Sequence, residues 1–460
     1  MRCSALSGSI PAGRRAAPRP PLPAAFPGVL AALVLAALWV GAATRPADAG
    51  PPAPVAAIPA AAFLDSIGIN LHVAQGNDPA SYVGPLRYTG IRRARDGAGE
   101  IGSLIALHRE TGARFVIFAD GDLLGMLAAA RSLARAGALL ALEGPNEPNN
   151  FPIEYRGSIG GGPGGRWDAV AALQRDLYAA AKADPALRKY PVFGVSETGA
   201  ETTNVGLQFL KIPEGAGTIF PTGTVFADFA NVHNYVVGNG GRYDDNQAWN
   251  AADPTLRGRW DGLFGNHGLT WHRSFRGYGD AELLALPRVT TETGWDSTAD
   301  PGGEHTQGAI LTDTYLAQFK RGWAYTFVYE MMDQEGSTGD QGLYHAGAPK
   351  RAAVYLHNLT TLLASDGPPG GAGTLAYDIP DQPETVHDLL LRKGNGQFAL
   401  VVWGERRHGA DSVAVRLDGP RAEIRVYDIT AGTEPVQVLH DADSVPLTLT
   451  DHAVIMDISG

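Results

Sequence analysis

Cysteine is all but missing: the 460-residue chain has one, Cys3. With no second thiol there is no disulfide framework and no Cys-ligated zinc site, and the lone thiol sits in an N-terminal segment rather than in the body of the chain. A cysteine protease and a thioredoxin-like function are excluded with it. Charge is sparse as well, at 18% of residues, and acids outnumber bases to give a net charge of −11. Beyond the N-terminus no Lys/Arg-dense run is present to neutralise a phosphate backbone, which argues against a nucleic-acid partner. The glycine run Gly160–Gly165 lacks a following Lys-Ser/Thr, so it is not a phosphate cradle. No His-Glu-x-x-His and no close His/Asp cluster appears, and neither a catalytic metal nor a cofactor is expected.

The apolar stretch Val29–Val40 is too short for an ordinary membrane span. It follows Arg2, Arg14, Arg15 and Arg19 and precedes the small-x-small run Ala47-Asp48-Ala49. Residues 1–49 therefore read as a signal peptide, with a secreted or periplasmic product. Left uncleaved, the segment would be a membrane anchor; no other stable membrane partner is expected.

What the chain does contain is apolar material for a core, 44% of residues, cut by many turns (58 Gly and 32 Pro). Residues 50–62, rich in Pro and Ala, read as a flexible lead. Eight strand-like runs follow: 66–72, 91–95, 114–119, 138–143, 191–196, 228–233, 286–292 and 325–331. Between most of them apolar residues recur at helical spacing, as in 100–110, 123–135, 167–183, 307–323 and 352–363. Strands alternating with helices imply a parallel sheet, and eight such units in 63–366 suit a (β/α)8 TIM barrel in the α/β class. An open doubly wound sheet would want a glycine turn after its first strand, and Ile67–His72 offers none. After the linker Gly367–Gly373 helical periodicity stops. Short alternating runs from 387 to 458 predict a small all-β sandwich over 374–460, packed as an accessory domain through residues such as Leu389 and Leu391.

Two motifs carry the chemistry. Gly144-Pro145-Asn146-Glu147-Pro148 follows the fourth run, and Thr290-Thr291-Glu292-Thr293-Gly294-Trp295 ends the seventh. A TIM barrel gathers its active site at the carboxyl ends of its strands, so the fold brings Glu147 and Glu292 to one mouth. Two carboxylates suit a reaction that needs an acid/base and a nucleophile. Asn146 is placed to bind a substrate hydroxyl beside them. The alternative for each glutamate is a helix-start carboxylate.

Asn-Glu-Pro with a later Glu-Thr-Gly-Trp resembles the clan A glycoside hydrolases, closest to family 39-like and family 5-like members, over roughly residues 60 to 365. The resemblance implies a retaining β-glycosidase with Glu147 as acid/base and Glu292 as nucleophile. It also points to Arg95 and Tyr235 as the groups that keep Glu292 ionised and hydrogen-bonded, and to a carbohydrate substrate. His72 and His233, at strand ends, are candidates for sugar hydroxyls, and Trp295 for a stacking platform. Glu197, after the fifth strand, competes for a catalytic role. A departure falls at the eighth strand, where many clan members end in tryptophan and this chain has Tyr329-Glu330, which leaves the sugar open. A non-catalytic carbohydrate-binding protein and a transglycosylase are the rival readings.

Overall fold

The computed structural model describes residues 50–459 apart from 163, 198–204, 237–242, 257–274, 335–338, 368–370 and 372. The proposed signal peptide lies outside the described residues. Residues 50–460 form one compact unit.

Eight parallel strands make the barrel. In chain order they are Ile67–Asn70, Arg93–Gly97, Arg114–Ala119, Leu139–Pro145, Val192–Phe193, Ala230–His233, Arg288–Thr293 and Thr326–Val328. Each pairs with its neighbour in sequence, and the eighth returns to the first. The fifth and sixth strands meet through a Phe193–Phe229 bridge. Val116, Leu140, Ala141, Phe193, Val289 and Phe327 fill the interior. Gly68 is needed there, because a Cβ at that position would lie 2.4 Å from the Phe327 ring.

The helices form for ordinary reasons. In Leu123–Ala136 the buried positions Met126, Leu127, Ala130 and Leu133 recur at helical spacing. The Asp122 side chain caps the first turn through the Gly125 N–H, and Gly137, at φ 76°, ends the helix in the left-handed conformation. The apolar stripe joins the same core as Phe115 and Ile117 on the outer faces of the strands. Truncating a fully buried leucine such as Leu133 to alanine would cost about 2–5 kcal/mol.

The lead carries regular secondary structure. Pro54–Pro59 is a strand, antiparallel to Gly373–Asp378 and parallel to Val386–Arg392. Its two prolines stand at the ends, where a missing N–H disturbs the ladder least. Ala60–Ser66 follows as a helix that buries Phe63 edge-on against Phe319.

The C-terminal region is all β, as expected. One strand, Asp411–Asp428, runs through what reads in the sequence as two. Strands Val386–Arg392, Phe398–Gly404 and Ala453–Ile458 lie side by side with both faces covered. Leu390, Leu400, Val402 and Met456 face the domain's own core. Leu389, Leu391, Val401, Trp403 and Ile455 share a core with barrel residues such as Tyr315 and Leu356. Period-two alternation thus feeds two cores from one sheet, which is why Phe398–Gly404 is buried at every position.

Candidate active site

The site begins with strand periodicity. Two residues beyond interior positions of the barrel stand polar ones: Asn70 after Gly68, Glu143 after Ala141 and Thr291 after Val289. Arg95 and Asn231 join them. All five are buried, so each must find partners inside the layer.

Arg95 organises this layer. Its Nε donates to Glu143 Oε2 at 2.7 Å, and its Nη2 donates to Glu143 Oε1 at 2.9 Å and Asn146 Oδ1 at 2.6 Å. Its Nη1 donates to Asn70 Oδ1 at 2.9 Å and Glu292 Oε1 at 2.7 Å. All five N–H bonds of the guanidinium are used. Its carbon lies 4.5 Å from the centre of the Phe118 ring. Burial disfavours the charged form, but the carboxylates of Glu143 and Glu292 outweigh it and hold Arg95 above the ordinary arginine range. The group is a permanent cation.

Glu292 follows Thr291 directly, yet both reach the polar layer. The pairing of its strand with each neighbour slips between Thr290 and Thr293, and such an irregularity re-aims a side chain. Opposite the oxygen bound by Arg95, Glu292 Oε2 accepts the Tyr235 hydroxyl at 2.8 Å. Burial, then the charges of Glu292 and Glu147, push the Tyr235 phenol well above its usual range, so it stays a donor.

Glu147 stands two residues past the end of the fourth strand, with φ at 38°. The left-handed conformation is uncommon for a glutamate and costs of order 1–3 kcal/mol, a strain that concentrates at functional sites. It is held from behind: the Glu147 carbonyl accepts the N–H groups of Asn150 and Phe151, both at 2.8 Å. His233 Nδ1 lies 2.8 Å from Glu147 Oε1 and 3.5 Å from Glu292 Oε2, and its Nε2 is 3.0 Å from Thr291 Oγ1. Asn150 Nδ2 donates to Glu147 Oε2 at 3.0 Å. Glu147 and Glu292 bring carboxylate oxygens within 4.8 Å of each other, with His233 beside both.

These groups open on a cavity of about 960 Å³ lined by Asn70, Arg95, Asn146, Glu147, Tyr235 and Glu292 among others. His72 and Glu330 also line it. His72 Nδ1 is 2.8 Å from Glu330 Oε2, and Gln334 Nε2 donates to the same oxygen at 2.8 Å. Of the residues singled out in the sequence, Glu147, Glu292, Asn146, Arg95, Tyr235 and His72 meet at this cavity, and His233 joins Glu147 to Thr291 just behind it.

Trp295 does not fit its expected place. It is fully buried, edge-on to Tyr243, in the core shared by the helices. The chain turns at Gly294, where a Cβ would meet the Tyr329 carbonyl at 2.6 Å, and the indole leaves the mouth. Glu197 is buried and lines a separate small recess. The sequence reading missed Glu143, which has no exposed surface. The signal was available: one charged residue at the inward register of an otherwise apolar strand. The fold also assembles His/Asp groupings that spacing does not reveal. His305, Asp451 and His452 bring ligand-type atoms within 4.8 Å, as do Asp333, Asp340 and His345; in the second group Lys350 Nζ pairs with Asp333 at 3.1 Å.

Known structures share this architecture. A family 39 glycoside hydrolase from the gut symbiont Bacteroides cellulosilyticus superposes with a TM-score of 0.54 at 16% identity, over 86% of this chain and 81% of that one. The fold is that of the clan A glycoside hydrolases. A family 30 subfamily 8 xylanase from Clostridium acetobutylicum gives a TM-score of 0.50 at 10% identity, over 89% of this chain and 97% of the other. No protein-family model and no curated protein matches the sequence. In this barrel the carboxyl ends of strands four and seven lie at one mouth, where Glu147 and Glu292 line the same cavity.

Proposed function

We propose that this protein is an exported retaining β-glycosidase acting on a β-linked oligo- or polysaccharide. The observation that carries the reading is the pair Glu147 and Glu292, with oxygens within 4.8 Å across the cavity. Retaining enzymes hold the two carboxyl groups about 5–5.5 Å apart, whereas inverting ones leave about 6.5–9.5 Å for a water. The partners divide the roles. Glu292 lines the cavity with one oxygen bound by the Arg95 guanidinium and the other by the Tyr235 hydroxyl, the setting that suits a nucleophile. Glu147 meets the imidazole of His233 and the amide of Asn150.

In the first step the bond from C1 to the leaving oxygen breaks, Glu292 bonds to C1, and the Glu147 proton passes to the departing oxygen. In the second step Glu147 takes a proton from water, the water oxygen bonds to C1, and Glu292 leaves as the carboxylate. The Asn146 amide oxygen is taken by Arg95, so its NH2 is the group available to a sugar hydroxyl.

The test is a screen of purified protein against β-glucan, xylan, mannan and bacterial exopolysaccharides, with proton NMR of the first-formed anomer. Release of the β-anomer is expected. Release of the α-anomer, or no turnover of any β-linked glycan, contradicts the proposal.

A further inference from the structure

The groups around Glu292 bind through hydrogen bonds. The cavity wall beside Glu147 is different. Of the large apolar side chains exposed among the described residues, Phe151 is the one that lines the cavity, and it is 60% exposed. An exposed phenyl group is an unfavourable surface that a bound apolar face would cover.

Its position is fixed by the acid/base itself. The Phe151 N–H donates to the Glu147 carbonyl at 2.8 Å, within the turn that also ties Asn150 to the Glu147 side chain. The chain then enters a hairpin, Ile153–Tyr155 with Ser158–Gly160. That hairpin is anchored by buried Ile153 and by Tyr155, whose hydroxyl donates to Asp176 at 2.7 Å. From the other side the Gly162 N–H donates to the Pro148 carbonyl at 2.6 Å. The backbone that carries the phenyl ring is therefore ordered before a sugar binds.

We infer that Phe151 is the stacking platform for the sugar that leaves, a role the sequence suggested for Trp295. The inference rests on the glycosidase reading and extends it to the substrate. Glu147 gives its proton to the leaving oxygen, so the departing sugar lies on the Glu147 side of the broken bond, where Phe151 stands. A pyranose presents a face of C–H groups that packs on an aromatic ring, and the ring reads that face with little regard to individual hydroxyls. The two halves of the substrate are then read differently. The sugar bonded to Glu292 is selected by the polar set of His72, Asn146 and Glu330, and the departing one by stacking. The substrate class is a chain with a pyranose on the leaving side. The same platform serves a sugar acceptor in the reverse direction, when its hydroxyl proton passes to Glu147 and its oxygen displaces Glu292 from C1.

The experiment compares two leaving groups in the full chain. The β-fluorides of xylose, glucose, galactose and mannose have no sugar on the leaving side; the matching β-linked disaccharides have one. For a glycone the wild type accepts in both forms, Phe151→Ala is expected to lower kcat/KM on the disaccharide about ten-fold more than on the fluoride, mainly through KM. Phe151→Trp is expected to restore the disaccharide rate. Equal losses on the two substrates would make Phe151 a loop-packing residue, and no loss on the disaccharide would leave it without a role; either overturns the platform while the glycosidase reading stands. A wild type that turns over none of these probes overturns both.

Discussion

Glu143 holds Arg95 through two hydrogen bonds, at 2.7 and 2.9 Å, from a position with no exposed surface. The guanidinium that faces Glu292 is therefore fixed from below, by a carboxylate that never meets solvent. Thr291 Oγ1 donates to Glu143 Oε1 at 2.9 Å, the oxygen that also accepts from Arg95 Nη2.

Breaking that pair should be expensive. Glu143→Gln leaves a buried arginine with one carboxylate and turns an amide NH2 toward it. Removing one partner of a buried ion pair costs about 3–5 kcal/mol. Thermal denaturation should show a large drop in Tm, and kcat should fall by at least about ten-fold even below the new Tm. A variant with the wild-type Tm and kcat would show that Glu143 does not position Arg95.

Tyr235→Phe removes the hydroxyl that donates to Glu292 and keeps the ring. A hydrogen bond to a charged group is worth about 1.5–3 kcal/mol, so kcat should fall about 10- to 100-fold with KM little changed. A rise in KM at unchanged kcat would place Tyr235 in substrate binding instead.

Glu405, in the C-terminal region, gives a pH dependence. It is fully buried and accepts the Trp249 N–H at 3.0 Å and the Trp403 Nε1–H at 3.2 Å. Burial pushes its carboxyl up to about 7 from 4.5. A raised acid favours the protonated fold, so this contribution is present below the unfolded value and is lost as pH rises through the folded one. About 3 kcal/mol of stability should disappear between about pH 4.5 and 7. Denaturant titrations across that range should show the fall, and Glu405→Gln should flatten it. An unchanged slope in the variant would assign the titration elsewhere.

The β domain is part of the barrel's core. Leu389, Leu391 and Trp403 share apolar neighbours with barrel helices, and Asn358 Nδ2 donates to the Ile429 carbonyl at 2.8 Å. A chain ending at residue 366 would also strand Pro54–Pro59 without partners. Such a truncation should aggregate or melt well below the full protein. A soluble fragment with the full protein's Tm and activity would contradict this.

Much of this was legible in the sequence because barrel strands are short apolar runs and the helices between them carry clear stripes. All eight strands lie where the runs suggested, shifted by a few residues at their ends. Glu147 and Glu292 stood out because a charged residue directly after a buried run has only the mouth to go to. Glu143 did not, because it lies inside the run, and only the inward register separates it from its apolar neighbours. Trp295 misled for a related reason: closeness to Glu292 in sequence says nothing of the turn at Gly294. Pro54–Pro59 hid behind its composition. Proline and alanine disfavour strands locally, and a pair of distant partners, Gly373–Asp378 and Val386–Arg392, overrides that preference.

The division of labour between the two glutamates is tested most directly by azide. With a substrate whose leaving group needs no proton, Glu147→Ala should still form the covalent intermediate and release it slowly. Azide should then accelerate turnover and give a β-glycosyl azide, with configuration retained. Glu292→Ala cannot form that intermediate, so any azide product should arise by direct attack and be the α-glycosyl azide. Opposite anomers from the two variants are expected; the same anomer from both, or full activity in Glu292→Ala, would contradict the assignment.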